Sequence, residues 1–184
     1  ENCVATRIKS EYGMALGIDL DGHAIFSGTI VPGSVDPLFQ NLMIENCNLS
    51  DVTANTTGDS ANSVGLLIAG TARDVLVSGT VFNDNDNGLI ISNRPSFISN
   101  TLPYNVTVKN CTASYNKLSG FVNQNSANLI VSNTYSFEEN KAYFNGANAN
   151  YVGMPAGTPI RDWVVGGFPV ATGAGSSDNL DRHV

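Results

Sequence analysis

Charge is scarce in this chain of 184 residues, and positive charge most of all. Only 14% of residues are charged, with Lys and Arg together numbering 9 against 16 Asp and Glu, for a net charge of −7. That balance argues against nucleic acid or an anionic membrane as partner, because both are held by clustered cations. It also disfavours polyanionic glycans unless Ca²⁺ bridges the two. Long apolar runs are missing as well, and none approaches the ~20 residues of a membrane-spanning helix. No window carries a sustained 3.6-residue apolar period, so helices should be few. Trp occurs once, His twice and Cys three times.

Against these absences stands internal repetition. Glu1-Asn2-Cys3 returns as Glu45-Asn46-Cys47 and as Lys109-Asn110-Cys111. Weaker copies are Ser27-Gly28-Thr29, Ser78-Gly79-Thr80 and Ser132-Asn133-Thr134. Five of the six follow a short apolar stretch such as Val75-Leu76-Val77 or Val106-Thr107-Val108. The Cys/Thr marks at 3, 29, 47, 80, 111 and 134 are separated by 18 to 33 residues. A second signal follows four marks, a Gly opening another apolar run, at Gly13, Gly65, Gly88 and Gly120. Apolar and β-branched runs bounded by Gly, Asn, Asp and Ser read as strands. A unit this short cannot bury its own apolar face and must stack on a neighbour.

Stacking sets equivalent residues one strand spacing apart, ~4.8 Å. Asn2, Asn46, Asn110 and Asn133 are then expected as rungs of an amide ladder, with Asn110 enclosed by it, because Asn tolerates left-handed geometry and bonds to a like amide above. The pattern Asn105-Val106-Thr107-Val108-Lys109-Asn110-Cys111-Thr112, with Gly120-Phe121-Val122 following, resembles the repeat of the pectin lyase-like superfamily. The resemblance covers residues 1–145 and implies an all-β, right-handed parallel β-helix of about five to six coils. It does not imply one activity, since that superfamily holds polysaccharide lyases, glycoside hydrolases, tailspikes and surface proteins without catalysis.

The sequence opens inside a repeat, so upstream chain or a partner is expected to cover an otherwise open sheet edge. Residues 146–184, with Pro155, Pro159 and Pro169, read as an irregular cap followed by a flexible tail. In the register of the six marks Thr29 stands between Cys3 and Cys47, and Thr80 between Cys47 and Cys111. Two steps of ~4.8 Å exceed the reach of a disulfide, which predicts three free, core-facing thiols.

Four residues past each mark lie Arg7, Gly33, Asp51, Asp84, Tyr115 and Glu138. Aligned units would make Asp51 and Asp84 neighbours, with Glu138 further along. Paired carboxylates suit glycoside cleavage by acid and base, or chelation of Ca²⁺. The same residue types are what tight turns select for their own hydrogen bonding. Asp19, Asp21 and His23 alternate along one strand face and are metal candidates, against an ordinary turn at Asp21-Gly22. Asn83–Gly88 departs from a Ca²⁺-binding loop, with Arg94 where a twelfth-position Glu would stand. Sequons fall at Asn48, Asn55, Asn105 and Asn110, of which Asn55, on a loop at 53–63, is the glycosylation candidate.

The reading expects a non-catalytic extracellular or particle-surface β-helix, structural or glycan-binding, without a cofactor. Its expected partners are a glycan or another copy of the chain, as a trimer or by strand addition at the open end. The alternative is a polysaccharide-cleaving enzyme using Asp51 and Asp84, with Glu138.

Overall fold

The computed structural model describes residues 1–11, 14–22, 39–54, 63–92, 94–95, 100–101, 103–123, 135–145, 149–152 and 160–165. Among them the chain is all-β. The first strands are β1 (Val4–Ser10), β2 (Leu16–Gly22), β3 (Phe39–Glu45), β4 (Asn48–Ala54) and β5 (Val64–Gly70). Then come β6 (Ala72–Ser78), β7 (Val81–Asn83), β8 (Asn87–Ser92), β9 (Arg94–Pro95) and β10 (Asn100–Thr101). The last are β11 (Tyr104–Lys109), β12 (Thr112–Ser114), β13 (Ser119–Asn123), β14 (Tyr135–Tyr143), β15 (Ala149–Val152) and β16 (Ile160–Val165).

The pairing is parallel throughout except for the short β9/β10 contact. One sheet runs β2-β5-β8-β13-β15; the other, curled, runs β1-β4-β7-β12-β14-β11-β6-β3, with β16 also on β14. β14 closes the curl because its two halves pair differently: Tyr135 to Glu138 lie beside β11, and Lys141 to Tyr143 beside β12. Between the halves Glu139 takes a left-handed φ of 55° and bends the strand. The pairing runs on into β15 and β16, beyond the boundary at 145 that the repeat suggests.

Alternation decides which side chains point inward. Val75 and Val77 on β6, and Val106 and Val108 on β11, are buried, while Leu76 and Thr107 between them are half-exposed. The inward set meets Leu66, Ile68, Leu89 and Ile91 of the other sheet around Phe82, Phe121 and Phe137. Phe82 packs edge-on to Phe121 at 6.3 Å, and Phe121 tilts against Phe137 at 5.6 Å. Each such buried side chain contributes about 1.5–3 kcal/mol. β5 is buried on both faces, as its unbroken apolar run requires.

The register differs from the one the six marks suggest. Asn2 N–H donates to Glu45 C=O, Asn46 N–H to Ser78 C=O, Gly79 N–H to Lys109 C=O and Asn110 N–H to Glu138 C=O. The first row is therefore Asn2–Asn46–Gly79–Asn110–Glu139, all at φ between 52° and 57°. Thr29, Asn133 and Thr134 belong to weak copies that lie outside the described residues, and the row steps past them. Asn2, Asn46 and Asn110 are exposed, and no side-chain hydrogen bond joins them among the described residues. Gly79 interrupts any amide ladder there. Asn46 Oδ1 lies where a Cβ on Gly79 would sit, so a side chain there would have to displace the exposed Asn46 amide.

This register also corrects the thiol count. Cys3 and Cys47 are direct neighbours, with Cα atoms 4.6 Å apart, and form a disulfide; Cys111 is a buried thiol outside that pair, its Sγ donating to Lys109 C=O at 3.2 Å. Closing a span of 44 residues stabilises the fold by about 4 kcal/mol in the chain-entropy account.

A true amide ladder exists elsewhere, in the interior. Asn85, Asn116 and Asn145 are all buried. Asn85 N–H donates to Asn116 Oδ1 at 3.0 Å, and Asn116 N–H to Asn145 Oδ1 at 3.1 Å. Asn116 Nδ2 donates to Asn145 Oδ1 at 2.8 Å and to Phe82 C=O at 2.9 Å. Room for these amides comes from a glycine column, Gly17–Gly65–Gly88–Gly120, in which Gly17 takes the place expected for Gly13. A Cβ on Gly65 would stand 2.8 Å from Gly88 C=O and 3.1 Å from Asn85 Nδ2.

Two outcomes follow. Titration of the unfolded, unreduced protein is expected to count one free thiol, rising to three after reduction; three from the start would refute the Cys3–Cys47 pairing. Asn116→Leu strands several buried partners at once and should cost about 4 kcal/mol in urea unfolding. A loss under about 1 kcal/mol would show that the ladder is not what satisfies those groups.

Candidate functional site

A second left-handed row crosses β1 and β4 at mid-strand and continues just past the ends of β7, β12 and β14. Arg7, Asp51, Asp84, Tyr115 and Phe144 all have φ between 53° and 58°. The register Thr6↔Ser50, Ser114↔Asn83 and Ser114↔Tyr143 aligns them one above another. Asp51 and Asp84 are thus neighbours, as the spacing of the marks predicts. Glu138 is not with them: it continues the row of Glu45, Ser78 and Lys109 on the adjoining strands. The position expected for it belongs to Phe144, because Tyr115 is followed 29 residues later by its equivalent. Gly33 lies outside the described residues.

The surroundings of the two aspartates are those of an open surface. Asp84 is exposed, and Asp51 meets Lys9 at 3.7 Å, with both side chains well solvated. Such an ion pair is worth at most about 1 kcal/mol. The polar column beside them is tied together by its own hydrogen bonds. Ser50 Oγ donates to Asn48 Oδ1 at 2.5 Å, Asn83 N–H to Ser50 Oγ at 3.4 Å, and Ser114 Oγ to Asn83 Oδ1 at 2.6 Å.

The row ends in aromatic rings. Tyr115 and Phe144 stack at 5.5 Å with 21° between their planes, and Tyr143 stands edge-on to both, at 6.0 and 5.7 Å. Tyr115 is 56% and Phe144 52% exposed. The spacing of the marks placed Tyr115 in the row but not Phe144, whose position it gave to Glu138. The signal was present, since Asp84-Asn85, Tyr115-Asn116 and Phe144-Asn145 share one pattern: a left-handed residue followed by a rung of the buried amide ladder.

Asp86 is a fully buried carboxylate. Its Oδ2 accepts the Ala54 N–H at 2.9 Å, and its Oδ1, without a hydrogen bond, lies 3.7 Å from Lys117 Nζ. It anchors the end of β4. Asp86→Ala leaves the Ala54 N–H unsatisfied, so urea unfolding should show a loss of about 2 kcal/mol. Asp86→Asn, which keeps the acceptor, should lose clearly less; equal losses would mean that the hydrogen bond to Ala54 is not what matters.

The remaining candidates are not brought together. Asp19 is exposed on β2, Asp21 ends the same strand, and His23 lies outside the described residues. Among the described residues no three of His, Cys, Asp or Glu cluster closely enough to hold a metal ion. Asn55 also lies outside the described residues, whereas Asn110, expected to be enclosed, is exposed. No helix among the described residues is long and apolar enough to cross a membrane. No known family, curated protein or solved structure matches the chain.

Proposed function

We propose that this chain is a right-handed parallel β-helix that serves as a non-catalytic scaffold on an extracellular or particle surface, in a structural or glycan-binding role. The observation that carries the reading is the character of the Asp51–Asp84 flank. Two carboxylates one strand step apart could share acid and base duties, but that chemistry needs them desolvated and aimed at a held substrate. Here one is exposed, the other is paired with Lys9 at the surface, and the column alongside is Ser and Asn. A regular, hydrogen-bonded polar flank is what a scaffold presents to solvent or to sugar hydroxyls. The Cys3–Cys47 disulfide agrees with an oxidising compartment. No cofactor is assigned, and a second copy of the chain remains the other partner in this reading.

The adjacency of Asp51 and Asp84 favours the second reading, a polysaccharide-cleaving enzyme. Incubation with neutral and acidic polysaccharides, scored by new reducing ends and unsaturated products, separates the two. No turnover is expected, and Asp51→Asn and Asp84→Asn should unfold within about 0.5 kcal/mol of the parent, as exposed substitutions do. Turnover that both substitutions abolish would replace the scaffold reading with the enzyme.

A further inference from the structure

We infer that the aromatic end of the left-handed row, Tyr115 and Phe144 with Tyr143 against them, binds a neutral glycan chain that continues along the row toward Asp84 and Asp51. The inference rests on the glycan-binding branch of the proposed function and gives it a place and a ligand class.

The argument starts from backbone cost. Every unit needs a left-handed residue at this bend, and Asn, Asp and Gly take that conformation most readily. The first row uses Asn and Gly at four of its five positions, and this row uses Asp at two. Tyr and Phe are poor choices, since a bulky side chain at positive φ is strained. Neither recovers that cost by burial, because about half of each side chain stays in water. Two adjacent units make the same unfavourable choice, and together their side chains form one platform.

Tyr115 and Phe144 stack nearly parallel, so each covers the other's inner face and keeps one outer face, and Tyr143 braces both from the edge, which leaves little rotamer freedom to lose on binding. A pyranose presents an apolar C–H face that packs on an aromatic face, while its hydroxyls need hydrogen-bond partners at the rim. Along the row those partners are the carboxylates of Asp84 and Asp51, with Asn83 and Ser50, both part-exposed, in the next column. Successive positions are one strand spacing apart, ~4.8 Å, a step comparable to a hexose unit in an extended chain. Charge selects the class: Asp84, the carboxylate next to the rings, and a net charge of −7 disfavour uronate and sulfated polymers, the cations Arg7 and Lys9 standing at the far end of the row.

The test is calorimetric titration of the intact chain with cellohexaose, chitohexaose and mannohexaose, with hexagalacturonate as the acidic control. Tyr115→Asn and Phe144→Asn are the variants, because Asn already serves the equivalent bend at Asn46 and Asn110, and thermal melting verifies that they fold. At least one neutral hexasaccharide should bind, shift the ring-proton signals of Tyr115 and Phe144, and bind at least about tenfold more weakly to either variant. Undiminished binding by folded variants would overturn the site while leaving the glycan-binding reading intact. Preference for hexagalacturonate would overturn the neutral class. No binding by the parent chain would overturn the site and that branch together, leaving only the structural role.

Discussion

At each bend of this stack the chain turns out of one sheet before entering the next, and the backbone N–H and C=O groups there must still be satisfied away from water. An unpaired buried group costs about 1–3 kcal/mol, which repeated at every unit would exceed the stability of a domain. Two side-chain columns meet the requirement. In the first, Cys47 N–H donates to Thr80 Oγ1 and Cys111 N–H to Asn140 Oδ1, while Asn140 Nδ2 returns a bond to Val108 C=O. In the second, the amides of Asn85, Asn116 and Asn145 do the same between Leu49, Phe82 and Ala113. The glycine column serves the same packing: a Cβ at Gly65 or Gly88 would first meet the backbone carbonyl of the next glycine, and then the Asn85 or Asn116 amide.

An interior this constrained leaves the outside of each bend chemically free. The left-handed residue preceding each rung must adopt its φ, but its side chain points to solvent and takes no part in the ladder. Cation, carboxylate and aromatic ring can therefore follow one another on an unchanged backbone, from Arg7 through Asp51 and Asp84 to Tyr115 and Phe144. Conformation is thus held constant from unit to unit while the exposed chemistry varies.

Strand positions were legible because period-2 alternation is a local property, and β6 and β11 read directly as strands. Register was not legible from motif similarity. The copies ending in Thr29 and Thr134 resemble the repeat as closely as Ser78-Gly79-Thr80 does, yet the described row passes directly from Asn2 to Asn46 and from Asn110 to Glu139. What defines membership is a side-chain acceptor for the neighbouring N–H, a role that Thr80 and Asn140 fill through different atoms and that no residue identity announces. Counting the weak copies as units separated Cys3 from Cys47 and put Glu138 where Phe144 stands. The adjacency of Asp51 and Asp84 survived because no weak copy falls between them.

The pair of aspartates also shows why adjacency in a ladder is not a mechanism. Parallel stacking sets any two equivalent carboxylates one strand spacing apart whether or not they have work to do. Function requires an environment that strengthens their interaction, and water weakens it: at a separation of ~4–5 Å two charges interact by about 1 kcal/mol in bulk solvent and severalfold more when desolvated. Asp84 faces solvent, and Asp51 shares its charge with Lys9. The interior carboxylate, Asp86, has the low-dielectric setting but spends it on the Ala54 N–H and the Lys117 ammonium. Acid–base pairing and burial are thus assigned to different residues of the same turn, and the exposed positions are left for contact with whatever approaches the flank.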